Sequence, residues 1–239
     1  MPCLACIGHW AKGMGSAMTQ IPFDIVGFDL DGTLLDTSGD LAAAVNHALA
    51  SVDVPPFSVD EIKRFVGRGA KTMLARALAA SGHDAEAMLN QIMPTFFAYY
   101  ADNLSRHTAP YPGLMGAMEE LRDSGVRLAI CTNKVERFTL PLIEQLGMTH
   151  WFASIIGGDT TGVLKPDPAP IHAMIAQAGG GRCVFIGDTI NDIAGARNAG
   201  VANIAVSFGF IECPPEELEP DAVIDHFDEL VPLLRNWPG

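Results

Sequence analysis

Apolar runs of strand length alternate with helical patterns along most of the chain, and this alternation constrains the fold most strongly. Five runs have strand character, the last of them weaker: residues 23–30, 126–132, 183–187, 202–206 and 222–224. Helical patterns separate them at residues 113–124, 135–146, 168–178 and 190–199. Such alternation favours an α/β fold, in which helices cover both faces of a parallel sheet.

One long stretch breaks the alternation. Residues 39–106 contain no convincing strand but carry alanine-rich helical patterns at residues 41–52, 58–65, 69–80 and 84–103. The stretch is too long for one crossover connection, so we predict a helical domain inserted after the first strand. We therefore expect a helical cap domain at residues 39–107 and a Rossmann-like parallel sheet core at residues 21–38 and 108–239.

Composition narrows the classes of partner. The chain has 239 residues, of which 49% are hydrophobic, and this is enough for a sizeable core. The formal net charge of −13 argues against a nucleic-acid partner, because phosphate backbones require basic surface. No apolar run approaches membrane-spanning length, so we expect no membrane partner. A phosphorylated substrate would need local positive charge in so acidic a protein.

The first 20 residues differ from the rest, and we expect a disordered leader at residues 1–20. They lack the basic start and apolar block of a secretory signal, which indicates the cytoplasm. Cys3 and Cys6, with His9 nearby, leave a redox or metal motif open, although the spacing is incomplete for a four-ligand zinc site. Met14 or Met18 is an alternative start, which N-terminal mass measurement would test.

Two carboxylates, Asp29 and Asp31, lie at the end of the first apolar run. A strand places residues i and i+2 on the same face, so both acids point into one crevice if they lie at the strand's carboxyl end. Adjacent carboxylates repel, so the site needs a cation or one protonated acid. Gly32 permits a bend that brings N–H groups close to an anion. The pattern indicates metal-assisted chemistry on a charged substrate.

Polar residues also follow two later strands. Thr132 and Asn133 offer a hydroxyl and free backbone N–H groups to an anion, although Thr-Asn is also an ordinary helix cap. Asp188 and Asp192 are four residues apart and can share a helical face. Acids at a helix start can simply serve the helix dipole, but an oxygen-rich cluster suits Mg²⁺.

Lys165 lies in the sequence between Asn133 and Asp188, directly before Pro166 in an extended Pro-rich segment. A lysine held there could reach a phosphoryl group or separate crowded carboxylates as a point charge. The alternative is a solvated surface lysine.

The motifs Asp-Leu-Asp-Gly-Thr, Thr-Asn, Lys-Pro-Asp-Pro and Gly-Asp-Thr-Ile-Asn-Asp, in this order, resemble the four motifs of the haloacid dehalogenase superfamily. The resemblance implies that Asp29 is a nucleophile forming an aspartyl-phosphate and that Asp31 is the general acid/base. It implies Mg²⁺ bound by the Asp29 carboxylate, the Asp31 main-chain carbonyl and Asp188, with Asp192 in support. Thr132, the Asn133 backbone and Lys165 would hold the phosphoryl oxygens. The helical insert resembles the helical (C1-type) cap of that superfamily.

Asp31 separates the subclasses. Dehalogenases of the superfamily lack an acid there, and its ATPases carry large transmembrane domains. This leaves phosphatases, phosphonatases and phosphosugar mutases with small caps.

Residues 65–74, which include Arg68 between two glycines, resemble the cap loop of bacterial phosphoglycolate phosphatases. Arg68 could bind a substrate carboxylate, or it could be a solvated arginine in a helix connection. We expect a Mg²⁺-dependent phosphomonoesterase acting on 2-phosphoglycolate, as a monomer or homodimer. Another small phosphoester (phosphosugar, nucleoside monophosphate or pyrophosphate) and a β-phosphoglucomutase-like mutase stay open, as does a non-catalytic binding protein on this fold.

Overall fold

A computed structural model describes residues 20–211 and 213–238. The expected leader at residues 1–20, apart from its last residue, and the Cys3/Cys6 motif lie outside the described residues. Within them, no helix is both long enough and apolar enough to cross a membrane.

The core is a six-stranded parallel sheet, as the alternation of apolar runs predicted. The strands have the spatial order β5-β4-β1-β6-β7-β8. Their bounds are β1 Ile25–Phe28, β4 Arg127–Cys131, β5 Phe152–Ile156, β6 Cys183–Gly187, β7 Ala202–Val206 and β8 Ala222–Ile224. The edge strand β5 was not among the predicted strands. The central strand β1 pairs with β4 on one side and with β6 on the other.

Successive residues of β1 point to opposite faces, and each face is covered by helices. Ile25 belongs to an apolar cluster with Ile171 and Met174 of helix α7 (Ala169–Gln177), on one face. Val26 and Phe28 belong to the larger core on the other face, with α5 and α9. The core helices are α5 Leu114–Asp123, α6 Glu136–Gln145, α7 Ala169–Gln177, α8 Ile190–Asn198 and α9 Leu230–Arg235. This arrangement confirms the predicted α/β class.

The helical insert follows β1 and carries four helices. They are α1 Ser38–Ala50, α2 Val59–Lys63, α3 Gly69–Ala80 and α4 Ala85–Asp102. Apolar side chains of α1, α3 and α4, such as Val45, Leu74 and Phe96, are fully or almost fully buried, so the insert has packed apolar residues of its own. The insertion of a helical cap into the sheet core is thereby confirmed, while the exact boundaries 39 and 107 stay a prediction.

Two short antiparallel strands join the cap to the core. They are β2 Leu35–Asp36, on the way out, and β3 Ala109–Pro110, on the way back. Asp40, near the start of α1, accepts hydrogen bonds from the backbone N–H groups of His107 and Thr108 and from the Thr108 hydroxyl, at 2.7–3.0 Å. One buried carboxylate therefore ties the outgoing and returning segments together.

Candidate active site

The site lies at the carboxyl ends of β1, β4 and β6, and its centre is Lys165. This lysine is 3% exposed. Its Nζ donates to Asp29 Oδ1 at 2.8 Å, to Asp192 Oδ1 at 2.6 Å and to the Cys131 carbonyl at 2.6 Å. Burial alone would lower the pKa of Lys165, but Asp192 and Asp29 raise it above its usual value. Lys165 is thus a fixed cation between two acids and not a surface lysine.

Asp29 continues the line of β1, since its N–H donates to the Ile186 carbonyl at 2.9 Å. Burial raises the pKa of its carboxyl group to about 7, against the opposing effect of Lys165 and with a further increase from Asp192. The pKa of Asp188 is raised well above its usual value, first by burial and then by Asp192 and Asp29. The acids therefore carry more negative charge, in a small buried volume, than one lysine can neutralise.

Oxygen atoms of Asp29, Asp188 and Asp192 lie within 4.8 Å of one another. Thr33 donates to Asp188 Oδ1 at 2.9 Å and the Phe210 N–H to Oδ2 at 2.7 Å, so this carboxylate is held in one orientation. Three buried carboxylates, two of them with raised pKa values, fit a hard divalent cation, which prefers oxygen ligands.

Asp192 also begins α8. Its Oδ2 accepts from the Thr189 N–H at 2.9 Å and from the Thr189 hydroxyl at 2.6 Å, which closes a capping box. Asp192 therefore caps α8 with one oxygen and contacts Lys165 with the other, and its support of a metal stays a prediction.

Asp31 lies apart from this cluster. Its Oδ1 accepts from the Thr37 hydroxyl at 2.7 Å, and both its oxygens accept from Lys134 Nζ, at 2.8 and 2.9 Å. Sequence reasoning gave no role to Lys134, which directly follows Asn133. Its partner is 103 residues away, so no spacing rule connects the two residues.

Asn133 fastens three segments with its side chain. Its Oδ1 accepts from the Lys165 N–H at 2.9 Å, and its Nδ2 donates to the carbonyls of Lys165 at 3.1 Å and Gly67 at 3.3 Å. The Asn191 amide also donates to the Gly67 carbonyl, at 3.2 Å. The cap loop is therefore attached to the core at the site by two asparagines.

Gly32 is placed differently from the expectation. Its N–H donates to the Leu35 carbonyl at 2.9 Å, so this N–H is not available to an anion. Its φ is +89°, and a Cβ here would clash with Asp188. The physical need for glycine is therefore room for Asp188 and a backbone that turns with positive φ.

A cavity of about 460 Å³ lies between the cap and the core. Most of the predicted site residues line it: Asp29, Asp31, Arg68, Thr132, Asn133, Lys165 and Asp192. Gly32 and Asp188 do not. Much of the cap wall is apolar and aromatic: Met73, Met93, Phe96, Phe97 and Tyr100. The cavity therefore joins an acidic, lysine-bearing floor to an apolar roof.

The fold and the site together define a class: an α/β enzyme with an aspartate-centred site under a helical cap. The family described as haloacid dehalogenase-like hydrolase matches residues 26–206. The phosphoglycolate phosphatase of Agrobacterium fabrum is 43% identical over 210 residues, which is 87% of this chain and 90% of the relative. That of Caulobacter vibrioides is 39% identical over 221 residues, covering 90% of this chain and 93% of the relative.

A solved structure agrees with these relatives. The crystal structure of a predicted phosphoglycolate phosphatase from Haemophilus somnus 129PT matches with a TM-score of 0.82 at 30% identity, covering 89% of this chain and 98% of that one. The chain belongs to the haloacid dehalogenase-like hydrolase family. It is an enzyme, and within the family it belongs with the phosphatases.

Proposed function

We propose that this enzyme is a Mg²⁺-dependent phosphatase that hydrolyses 2-phosphoglycolate to glycolate and phosphate through an aspartyl-phosphate. The observation that carries the proposal is the separate partnering of the two acids. Asp29 contacts Lys165 and lies within the acidic cluster, whereas Asp31 contacts Lys134 and Thr37. Two carboxylates in different environments can take different roles in one reaction.

Mg²⁺ would be held by the Asp29 carboxylate, the Asp31 main-chain carbonyl and Asp188, with Asp192 in support. The three clustered carboxylates supply the oxygen ligands that this ion prefers. Bound there, Mg²⁺ would neutralise charge on the transferring phosphoryl group.

The reaction has two steps on residues of this chain. An Asp29 carboxylate oxygen attacks phosphorus, and the bond to the leaving oxygen breaks while Asp31 donates a proton to that oxygen. Water then attacks phosphorus and gives a proton to Asp31, while the bond between phosphorus and the Asp29 oxygen breaks. Inorganic phosphate is released, and both aspartates return to their starting states. Thr132, the Asn133 backbone and Lys165 hold the phosphoryl oxygens, and Lys165 offsets their charge.

The substrate is proposed from two observations. Relatives that cover most of the chain are named phosphoglycolate phosphatases. In addition, Arg68 of the cap lines the cavity and is exposed, and its guanidinium group makes no hydrogen bond or ion pair with the residues that the structure describes. A guanidinium in this state can bind the carboxylate of 2-phosphoglycolate with two parallel hydrogen bonds.

A phosphate-release assay tests the proposal. The panel is 2-phosphoglycolate, a phosphosugar, a nucleoside monophosphate, pyrophosphate and p-nitrophenyl phosphate, each with Mg²⁺ and with EDTA. We expect the highest kcat/KM for 2-phosphoglycolate and activity only with Mg²⁺. A higher kcat/KM for another ester would make that ester the substrate in place of 2-phosphoglycolate. Bisphosphate-dependent isomerisation of a phosphosugar would indicate a mutase.

The nucleophile is tested by Asp29→Asn. We expect turnover to be abolished, because an amide cannot form the acyl-phosphate. Asp24→Asn is the matched control: Asp24 is exposed, directly precedes β1 and accepts from the Arg182 N–H. Activity of the Asp29 variant close to that of the wild type would refute the assignment.

The proposal includes the compartment and the oligomeric state of the enzyme. A small phosphoester is a free metabolite, so we place the enzyme in the cytoplasm, as a monomer or homodimer. Light scattering on the eluting protein distinguishes the two states, and cell fractionation tests the compartment.

A further inference from the structure

Lys134 and Tyr100 form a polar corner in the cavity wall, and the reaction described above does not use it. Lys134 is 9% exposed and its ammonium group contacts both oxygens of Asp31. The same ammonium group lies 4.8 Å from the centroid of the Tyr100 ring. Tyr100 comes from α4 of the cap, so the corner joins the cap to the core.

The hydroxyl of Tyr100 is the unusual part of this corner. Tyr100 is 1% exposed, and within the described residues its buried hydroxyl makes no well-formed hydrogen bond. Its polar neighbour is the Lys134 ammonium group: burial raises the pKa of Tyr100, and Lys134 lowers it. A buried hydroxyl without a partner costs about 1–3 kcal/mol. Tyr100 lines the cavity, and a small rotation of its side chain would bring the hydroxyl to a bound ligand, which can provide the missing partner.

The surroundings make this corner selective. Other cavity-lining side chains of α4, such as Met93, Phe96 and Phe97, are apolar, and so is Phe138 of α6. They offer no hydrogen bond to a polar group of a ligand. A charged group of the substrate that lies beside Asp31 would therefore meet Lys134 and Tyr100.

The shape of 2-phosphoglycolate brings its carboxylate to this place. The carboxylate carbon is two bonds from the oxygen that Asp31 protonates, so a donor in contact with Asp31 is a near neighbour of the carboxylate. The carboxylate would also repel Asp31, and a cation shared between the two offsets the repulsion. Lys134 already holds that shared position.

We infer that Lys134, together with the Tyr100 hydroxyl, binds the substrate carboxylate and so selects phosphoesters with a carboxylate next to the ester carbon. The inference rests on the proposed function and adds to it a specificity determinant on the core side of the cavity. Arg68 would act from the cap side on the same group.

The test compares 2-phosphoglycolate with ethyl phosphate, in which a methyl group replaces the carboxylate. Tyr100→Phe removes only the hydroxyl and keeps the ring under Lys134. We expect kcat/KM for 2-phosphoglycolate to fall about tenfold, the effect of one hydrogen bond to a charged group, while the value for ethyl phosphate stays unchanged. The Tm of the protein without ligand should change little, since the hydroxyl makes no well-formed hydrogen bond in the free protein.

Lys134→Met provides the second variant. Loss of the contact with Asp31 lowers turnover of both esters. In addition, the kcat/KM for 2-phosphoglycolate divided by that for ethyl phosphate should fall about 100-fold, as expected for a lost charged contact. Lys134→Arg keeps the charge and should retain part of the ratio. An equal loss on both esters would limit Lys134 to positioning Asp31.

The outcomes separate the two proposals. If the wild type prefers 2-phosphoglycolate and all three variants keep that preference, the inference is wrong and the proposed function stands. If the wild type hydrolyses ethyl phosphate and 2-phosphoglycolate with equal kcat/KM, both the proposed substrate and the inference are wrong. If no ester is hydrolysed with Mg²⁺ present, the enzyme activity itself is refuted.

Discussion

Gly32 shows how a residue without a side chain sets the position of a charged one. Its φ of +89° lies in the region that favours glycine, and a Cβ at this position would come closest to atoms of Asp188 and Phe210. The same turn places the Thr33 hydroxyl 2.9 Å from Asp188 Oδ1. The turn after β1 therefore positions an acid that follows β6.

Gly32→Ala should lower kcat about 100-fold or more, because displacement of Asp188 disturbs the acidic cluster. Gly125→Ala is the matched control, since Gly125 has a φ of +81° but nothing within 4 Å of a Cβ. The control should lose only about 1–2 kcal/mol of stability, the cost of the left-handed conformation, and keep its activity. Phosphate release and urea unfolding measure both effects. Equal activity of the two variants would contradict the role of Gly32.

Lys165 is the cation that two buried acids share. Replacing it by methionine leaves Asp29 and Asp192 without that neutralising charge, and breaking a buried ion pair costs about 3–5 kcal/mol. We therefore expect Lys165→Met to be destabilised in EDTA, and Mg²⁺ to raise its Tm more than that of the wild type. Lys63→Met, in α2 and outside the cavity lining, is the control. An equal Mg²⁺ response in all three proteins would contradict this account.

The sequence predicted individual site residues better than it predicted their partners. Asp29, Lys165 and Asp192 could be found because each lies next to a predicted strand end or motif, and the structure brings them together. The Asp31–Lys134 pair could not be found, because it joins two turns that only the tertiary fold places side by side. The roles of these residues in catalysis stay predictions.

Local pattern predicted most of the elements, and β5 shows why it missed one. The run Phe152–Ile156 contains Ala153 and Ser154, and Ser154 is buried although it is polar. Its hydroxyl donates to Gln177 Oε1 of α7 at 2.9 Å. A buried serine with a partner from another element has no signature in the local pattern, so β5 was not among the predicted strands.

The segments that join cap and core depend on Asp40. Asp40→Ala removes the acceptor for the Thr108 N–H, the Thr108 hydroxyl and the His107 N–H. Since hydrogen bonds to a charged group contribute about 1.5–3 kcal/mol, we expect a loss of about 3 kcal/mol in the free energy of unfolding. Asp123→Ala, at an exposed position in α5, should change it by less than about 0.5 kcal/mol. Urea unfolding distinguishes the two variants. A similarly small effect for both would contradict the role of Asp40 in joining the two segments.

On the scale of the whole molecule, the cap and the core enclose the site together. The core supplies the acids and Lys165, and the cap supplies the apolar wall and Arg68. One contact between cap and core beside the site is the Gly67 carbonyl, which accepts from Asn133 and Asn191. These asparagines follow β4 and β6, so the cap loop is attached to two strand ends that also carry site residues.

Asn191→Ala should weaken this attachment and leave Asn133 as the remaining side-chain donor to Gly67. One net hydrogen bond contributes about 1 kcal/mol, so we expect a roughly fivefold rise in KM for 2-phosphoglycolate and faster amide hydrogen exchange in the cap loop, residues 65–74. Asn198→Ala is the matched control on the same helix, because the amide of Asn198 donates to the Pro166 carbonyl of the core at 2.9 Å. Its cap-loop exchange should equal that of the wild type. Unchanged exchange in the Asn191 variant would mean that the cap loop is held by packing alone, since the hydrogen bond would then contribute nothing to closure.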